Sequence, residues 1–303
     1  MKKIIPILIG LCLLMFASCI KDDIGNCAGK MHFYFSFIYG GVNRFFEMEK
    51  TDLTMQFYRH GSDLRYREMN VDRSSIDIQR PLTVEKTPDD TDSLDVILWS
   101  QDEMIEHVGT DDTPLGEGYL HLKEMTEGSG ICRPVDDLFY GKLKFDAGDR
   151  YKRIDQTVSF VRAVCRIRIT MIPKTVEGQL GGLGTVVPNP DDYVFHLLNT
   201  LNRIDDNNIT GGEKVILQPN CYYDDASGNV KTDWFGAFSS NDECLYVEIF
   251  IRDRKVATFD CAPIELKSIP GNSIDLVIDA GYVNPVMEVR VNGWKVATIR
   301  SEL

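Results

Sequence analysis

Apolar and polar side chains alternate along most of the chain after residue 30. In the first such stretch, Met31, Phe33 and Phe35 would share one face of a strand, while His32 and Tyr34 would share the other. This period of two is typical of strands that bury one face. The alternation predicts strands at residues 31–37, 53–57, 94–99, 161–171, 215–217, 245–251, 256–259, 274–278, 287–291 and 294–299.

Turn sequences separate these short strands, which favours a β-sandwich architecture. Asn292-Gly293 is the clearest of them, because a type I′ hairpin turn needs positive φ at both central residues. A charged stretch at 148–157 interrupts two strand-rich halves, each about the size of one sandwich. We therefore predict an all-β protein with an N-terminal sandwich domain at residues 28–152 and a C-terminal sandwich domain at residues 153–303.

The first 18 residues have the features of a lipoprotein signal peptide. Lys2 and Lys3 precede an apolar run that is shorter than the roughly 20 residues a transmembrane helix needs. Small residues and then Cys19 follow this run, as in a bacterial lipobox. We expect cleavage after residue 18 and lipid on Cys19, with two acyl chains giving a durable anchor. Residues 19–27 would then form a lipidated linker; an ordinary secretory signal is the alternative.

The charge of the chain argues against nucleic acid as a partner. Asp and Glu number 46 against 33 Lys and Arg, which gives a net charge of −13. A protein that binds through phosphate contacts needs a basic surface instead. We therefore expect no nucleic-acid partner.

Patterns that carry catalysis or bind metal do not occur, so we expect no enzyme activity, no cofactor and no metal. The sequence lacks the zinc-protease, serine-hydrolase and phosphate-loop motifs. The acidic segment at 205–208 lacks the offsets of a calcium loop and predicts a turn. Cys12 lies in the signal and Cys19 would be lipidated. The disulfide pairing of the other six cysteines stays open.

Several segments together resemble the lipidated anchor subunits of type V fimbriae, a FimB-like family of bacterial surface proteins. No single piece is specific, but the pieces follow the family's order behind the lipobox. The proline often found directly after the cysteine at Cys27 is missing. The matching pieces are residues 18–23 followed by Cys27, the aromatic strand at 31–37, and the segments at 45–64, 95–101, 137–145 and 158–171.

The resemblance implies two transthyretin-like β-sandwich domains and attachment to the outer membrane through lipid. It also implies a role in holding the fimbrial shaft to the cell and limiting its length, with shaft subunits as partners. Lys21, Asp22 and Asp23 resemble the acidic signal that directs such lipoproteins to the cell surface. A plain solvated linker is the alternative for these three residues.

The expected C-terminal hairpin is the candidate contact with shaft subunits. In donor-strand assembly, an extended segment completes a neighbour's sheet through main-chain hydrogen bonds. Met287, Val289 and Val291 alternate with polar residues, and Trp294 and Val296 share a face after the turn. We predict that these five residues bind the partner. Alternatively, the hairpin completes the chain's own second sandwich; both can hold if it lies at an edge.

A surface glycan-binding lipoprotein is the alternative function. Trp99 lies within an apolar run and is expected in the core. Trp234, flanked by Asp233 and Phe235, is the better candidate to stack on a sugar ring. Three arginines on one predicted strand, Arg162, Arg166 and Arg168, are expected to pair with carboxylates on neighbouring strands.

Overall fold

The computed structural model describes residues 29–39, 41–45, 52–59, 64–76, 80–90, 93–109, 113–173, 189–239, 243–280 and 285–302. The predicted signal peptide, Cys19, Lys21, Asp22, Asp23 and Cys27 lie outside the described residues. Within the described ranges the chain forms strands and short 3-10 helices but no α-helix. The 3-10 helices span Arg73–Ser75, Pro190–Asp192 and Ala262–Ile264.

The described residues form 23 strands. In chain order they are β1 (Lys30–Ser36), β2 (Ile38–Tyr39), β3 (Val42–Asn43), β4 (Leu53–Arg59), β5 (Arg65–Val71), β6 (Leu82–Glu85), β7 (Ser93–Ser100), β8 (Ile105–Val108), β9 (Tyr119–Leu122), β10 (Ile131–Cys132), β11 (Phe139–Asp146), β12 (Ile154–Arg162), β13 (Cys165–Ile172), β14 (Tyr193–Asp205), β15 (Thr210–Leu217), β16 (Cys221–Asp224), β17 (Asn229–Thr232), β18 (Phe235–Ala237), β19 (Tyr246–Ile251), β20 (Arg254–Asp260), β21 (Ser273–Asp279), β22 (Val286–Val291) and β23 (Trp294–Arg300).

The first sheet has the strand order β5-β4-β7-β11-β12-β1-β6. Its inner face buries an apolar core that includes Phe33, Phe57 and Val96. Arg67 on β5 donates a hydrogen bond to the carbonyl oxygen of Glu85 on β6, so the two edges of the sheet approach each other. The sheet therefore curves around its own core.

Two further sheets, formed mostly by the C-terminal half of the chain, pack against each other. The second sheet has the order β10-β15-β14-β19-β20, with β8 and β9 joined to it through β14. The third has the order β16-β17-β13-β21-β22-β23, with β18 paired to β13. Residues of both sheets form one buried cluster that includes Ile167, Phe195, Leu276 and Met287. The predicted all-β sandwich fold is confirmed.

The predicted continuous strand at 161–171 is wrong, because the chain changes sheets in its middle. β12 ends at Arg162 in the first sheet, and β13 begins at Cys165 in the third. Ala163 and Val164 between them are fully buried. The alternation of apolar and polar residues therefore continues through Ala163 and Val164, which belong to neither strand. For this reason the sequence does not show where β12 ends and β13 begins.

Sheet membership does not follow the expected division at residues 152 and 153. β12 lies after that point but pairs with β1 and β11 of the first sheet, whereas β8, β9 and β10 lie before it and join the second sheet. The charged stretch at 148–157 lies in the connection between the antiparallel strands β11 and β12 and in the start of β12, so it is not a linker between sheets. The extents of the two domains stay a prediction.

A buried polar contact joins the first sheet to the second. The Tyr58 hydroxyl donates to Asp206 Oδ2 at 2.9 Å, and the Tyr140 hydroxyl donates to the Asp206 carbonyl oxygen at 3.0 Å. Burial raises the pKa of Asp206, and the hydrogen bond from Tyr58 opposes this shift. Gly118 leaves room for the carboxylate, since a Cβ there would lie 2.4 Å from Asp206 Oδ2. The predicted turn at 205–208 thus also connects the halves.

We expect Tyr58→Phe to lower the free energy of unfolding by about 2 kcal/mol, because it leaves a buried carboxylate oxygen without its donor. Urea denaturation of the two proteins measures this difference. Tyr151→Phe is the control: Tyr151 is 48% exposed, and its effect should stay within about 0.5 kcal/mol. Equal stability of Tyr58→Phe and the parent protein would show that this contact contributes nothing.

Candidate partner-binding site

The C-terminal hairpin forms the edge of the third sheet, as its strand order shows. β22 pairs with β21 on one side and with β23 on the other, so β23 is the last strand of this sheet. Asn292 and Gly293 have φ values of 50° and 84°, which agrees with the expected type I′ turn. The predicted hairpin is confirmed, and it completes the chain's own sandwich.

A bulge within the hairpin decides which residues face inward. Val291 pairs with Trp294 and Arg290 with Lys295, but the register then shifts, and Val289 pairs with Ala297. Such a bulge places an extra residue in one strand, here Val296. Ala297 consequently packs against the core in place of Val296. Alternation in the sequence alone does not show this shift.

Burial divides the five predicted partner-binding residues into two groups. Met287 and Val289 are fully buried in the sandwich core, and Val291 packs against it. Trp294 is 79% exposed and Val296 is 54% exposed. Of these five residues, only Trp294 and Val296 therefore present large accessible surfaces to a partner.

Charged side chains lie on the same two strands as the exposed pair. Glu288 accepts hydrogen bonds from Lys295 Nζ at 2.5 Å and from Arg290 Nε at 2.7 Å. These bonds lower the pKa of Glu288. Charged residues and bulges on an edge strand are common ways to prevent unspecific pairing with other sheets. The edge thus combines protection against aggregation with two large exposed apolar side chains.

Trp234 lies in a different place, on the outer face of the third sheet. Its ring contacts the guanidinium groups of Arg166 and Arg168, with distances of 5.2 and 4.7 Å to the ring centroid. Arg168 also pairs with Asp275 at 2.8 Å. These cation–π contacts occupy part of the ring surface that would otherwise stack on a sugar.

A groove of about 1430 Å³ runs past Trp234, where the first and third sheets meet. Arg162 lies along it, over the rings of Phe37 and Phe139, and is hydrogen-bonded through Nε to both oxygens of Asp137. Burial raises the pKa of Asp137, and the neighbouring arginines oppose this shift. Arg168 forms the expected cross-strand pair, with Asp275 on β21. Arg162 and Arg166 instead pair with Asp137, which lies just before β11 and not on a neighbouring strand.

A metal site, a membrane-spanning helix and a disulfide each place requirements on the residues of the described ranges. These ranges hold no group of three or more side chains arranged to bind a metal ion. None of their helices has the length and apolar character that a membrane crossing requires. Five cysteines in the described part are free thiols, namely Cys132, Cys165, Cys221, Cys244 and Cys261.

Comparison with known families identifies the type of protein. The profile of the Mfa2 family, described as fimbrillin-A associated anchor proteins Mfa1 and Mfa2, matches residues 24–300. The chain belongs to this family. The resemblance to fimbrial anchor subunits that the sequence suggested is thereby confirmed. No curated protein matches the chain.

Solved structures share the fold of this anchor-family protein at low sequence identity. The fimbrial anchor protein Mfa2 from Porphyromonas gingivalis is 10% identical, with a TM-score of 0.56 over 89% of this chain and 99% of that chain. A putative polysaccharide binding protein from Bacteroides thetaiotaomicron is 13% identical, with a TM-score of 0.61 over 88% and 97%. A putative adhesin from Bacteroides ovatus is 12% identical, with a TM-score of 0.61 over 89% and 94%. At these identities, the likeness supports the fold alone.

Proposed function

We propose that this protein is a lipid-tethered fimbrial anchor, which holds a fimbrial shaft to the outer membrane and limits its length. The family match over residues 24–300 carries the proposal, because that match begins five residues after Cys19, the cysteine of the predicted lipobox. Lys21, Asp22 and Asp23 would direct the lipoprotein to the cell surface. The proposed role is structural and needs neither catalysis nor a cofactor.

The proposed contact with the shaft is the edge formed by β23. An unpaired strand edge offers main-chain donors and acceptors to an incoming strand, and alternate side chains of the two strands then pack together. Trp294 and Val296 supply apolar surface at that edge. Met287, Val289 and Val291 would support the strand from the core side.

We expect Cys19→Ala to abolish incorporation of labelled fatty acid and to release the folded protein from the outer-membrane fraction. The reason is that Cys19 alone among the cysteines follows small residues at the end of an apolar run. Cell fractionation and labelling measure the two effects. Cys27→Ala is the matched control and should keep both label and membrane attachment. Undiminished label in Cys19→Ala would refute the lipid tether.

Glycan binding is the second candidate function, and the groove beside Trp234 is the observation that favours it. Planar polar groups of Arg133, Asn220 and Gln218 line this groove, and such groups suit sugar hydroxyls. We rank this function lower because Arg166 and Arg168 already contact the Trp234 ring.

On this ranking, we expect immobilised host or dietary glycans to show no saturable binding to the mature chain. Binding tighter than millimolar, corresponding to about −4 kcal/mol, that disappears in Trp234→Ala would reverse the ranking. Trp294→Ala serves as the control, because it removes a tryptophan outside the groove.

A further inference from the structure

The strand that follows the tether has an unusual pairing in the first sheet. β1 runs parallel to β12, with six residue pairs from Met31–Ile154 to Ser36–Ser159. On its other side, β1 pairs antiparallel with β6. The side chains of Met31 and Phe33 are fully buried. Removal of β1 would therefore break two ladders and open the first core.

The chain enters β1 at a tightly held position. The Gly29 amide donates to the Arg150 carbonyl oxygen at 2.9 Å, and the Lys86 amide donates to the Gly29 carbonyl oxygen at 2.9 Å. A Cβ at Gly29 would lie 2.5 Å from one backbone oxygen and 2.6 Å from another. A pull that reaches Gly29 would thus load the start of β1 directly.

The chain leaves β12 at the opposite end of the same pair. Because the two strands are parallel, the start of β1 and the end of β12 lie at opposite ends of their shared ladder. Arg162, the last residue of β12, is separated from Cys165 at the start of β13 by two buried residues. β13 belongs to the third sheet, whose edge is the proposed contact with the shaft.

We propose that the parallel β1–β12 pair is a mechanical clamp, which carries pulling force between the membrane tether and the fimbrial contact. This inference rests on the proposed function, because that function defines the two points of loading. Force at the start of β1 and at the end of β12 acts along the ladder. All six residue pairs of the ladder then bear the force at the same time. Force applied to both strands at one end of the ladder would instead separate the residue pairs one after another.

A pulling experiment on single molecules tests the clamp without lipid or fimbriae. The mature chain carrying Cys19→Ala is held at its N terminus, and the second handle is attached through an unnatural amino acid at either of two positions. Val161, near the end of β12, is 50% exposed, and Tyr151, just before β12, is 48% exposed. The two handles thus differ in the direction of loading while resembling each other in exposure.

We expect the distribution of rupture forces to shift upward with the handle at residue 161 relative to residue 151, at the same loading rate. The rupture force reports the unfolding barrier along the direction of loading. The two handle positions should therefore give different rupture forces although the free energy of unfolding is the same. Equal or lower forces at residue 161 would overturn the clamp. That result would leave the proposed tether standing, since Cys19→Ala fractionation tests the tether separately.

Discussion

Cells that carry Trp294→Lys together with Val296→Lys should shed their fimbriae, while the protein stays folded, lipidated and at the cell surface. Both side chains are exposed on β23, so the new charges should affect the core little. At a strand edge, lysine hinders pairing with an incoming strand. Electron microscopy of the cells and immunoblots of the medium measure the loss.

Matched lysines elsewhere on the surface provide the control. Met125 is 43% exposed and Ile209 is 62% exposed, and both are far in sequence from β23. Met125→Lys with Ile209→Lys adds the same charge and should leave fimbriae attached. Fimbriae of normal number and length on the Trp294→Lys and Val296→Lys cells would remove β23 as the contact.

Deletion of the whole of β23 would test the contact with the shaft less specifically than the Trp294→Lys and Val296→Lys substitutions. Ala297 and Ile299 on β23 pack against the sandwich core. The backbone that follows also holds the sandwich, because the Ser301 amide donates to the Pro285 carbonyl oxygen and the Glu302 amide to that of Thr258. A truncation at residue 294 would remove these contacts as well as the exposed pair, so lost fimbriae could reflect lost folding.

Trp99→Ala should lower the free energy of unfolding by about 3–5 kcal/mol, the usual cost of truncating a large aromatic side chain in a core. Trp99 is fully buried, and the centroid of its ring lies 4.7 Å from the centroid of the Tyr140 ring. It belongs to the cluster that the first sheet shares with the C-terminal sandwich. Its loss should therefore weaken the contact between the halves as well as the first sheet.

Trp294→Ala is the matched control, because it removes the same side chain from a site that is 79% exposed. Its effect on stability should stay within about 0.5 kcal/mol. Urea denaturation of both variants gives the comparison. Similar losses in the two variants would contradict the assignment of Trp99 to the core and Trp294 to the surface.

The sequence predicted about half of the strands, because alternation follows directly from a strand with one buried face. Asn292-Gly293 predicted its turn for an equally local reason, the positive φ of both residues. The expected core position of Trp99 is also confirmed. Each of these features depends on a few neighbouring residues.

Features that depend on distant residues could not be predicted in this way. β14 went unpredicted although it spans 13 residues, because register shifts interrupt its pairing with β15 and Asn199 within it has a φ of 64°. The change of sheets between Arg162 and Cys165, the parallel pairing of β1 with β12, and the bulge beside Val289 are long-range features of the same kind. The contact of Trp234 with two arginines depends on the pairing of β18 with β13.

The location of the fimbrial shaft in Cys19→Ala cells tests the anchor function most directly. If the protein holds the shaft to the membrane through its lipid, the shaft and this protein should appear together in the medium and be captured by one antibody. Cys27→Ala cells should keep both on the surface. Fimbriae that stay attached to Cys19→Ala cells at normal length, with this protein absent from the membrane, would contradict the account.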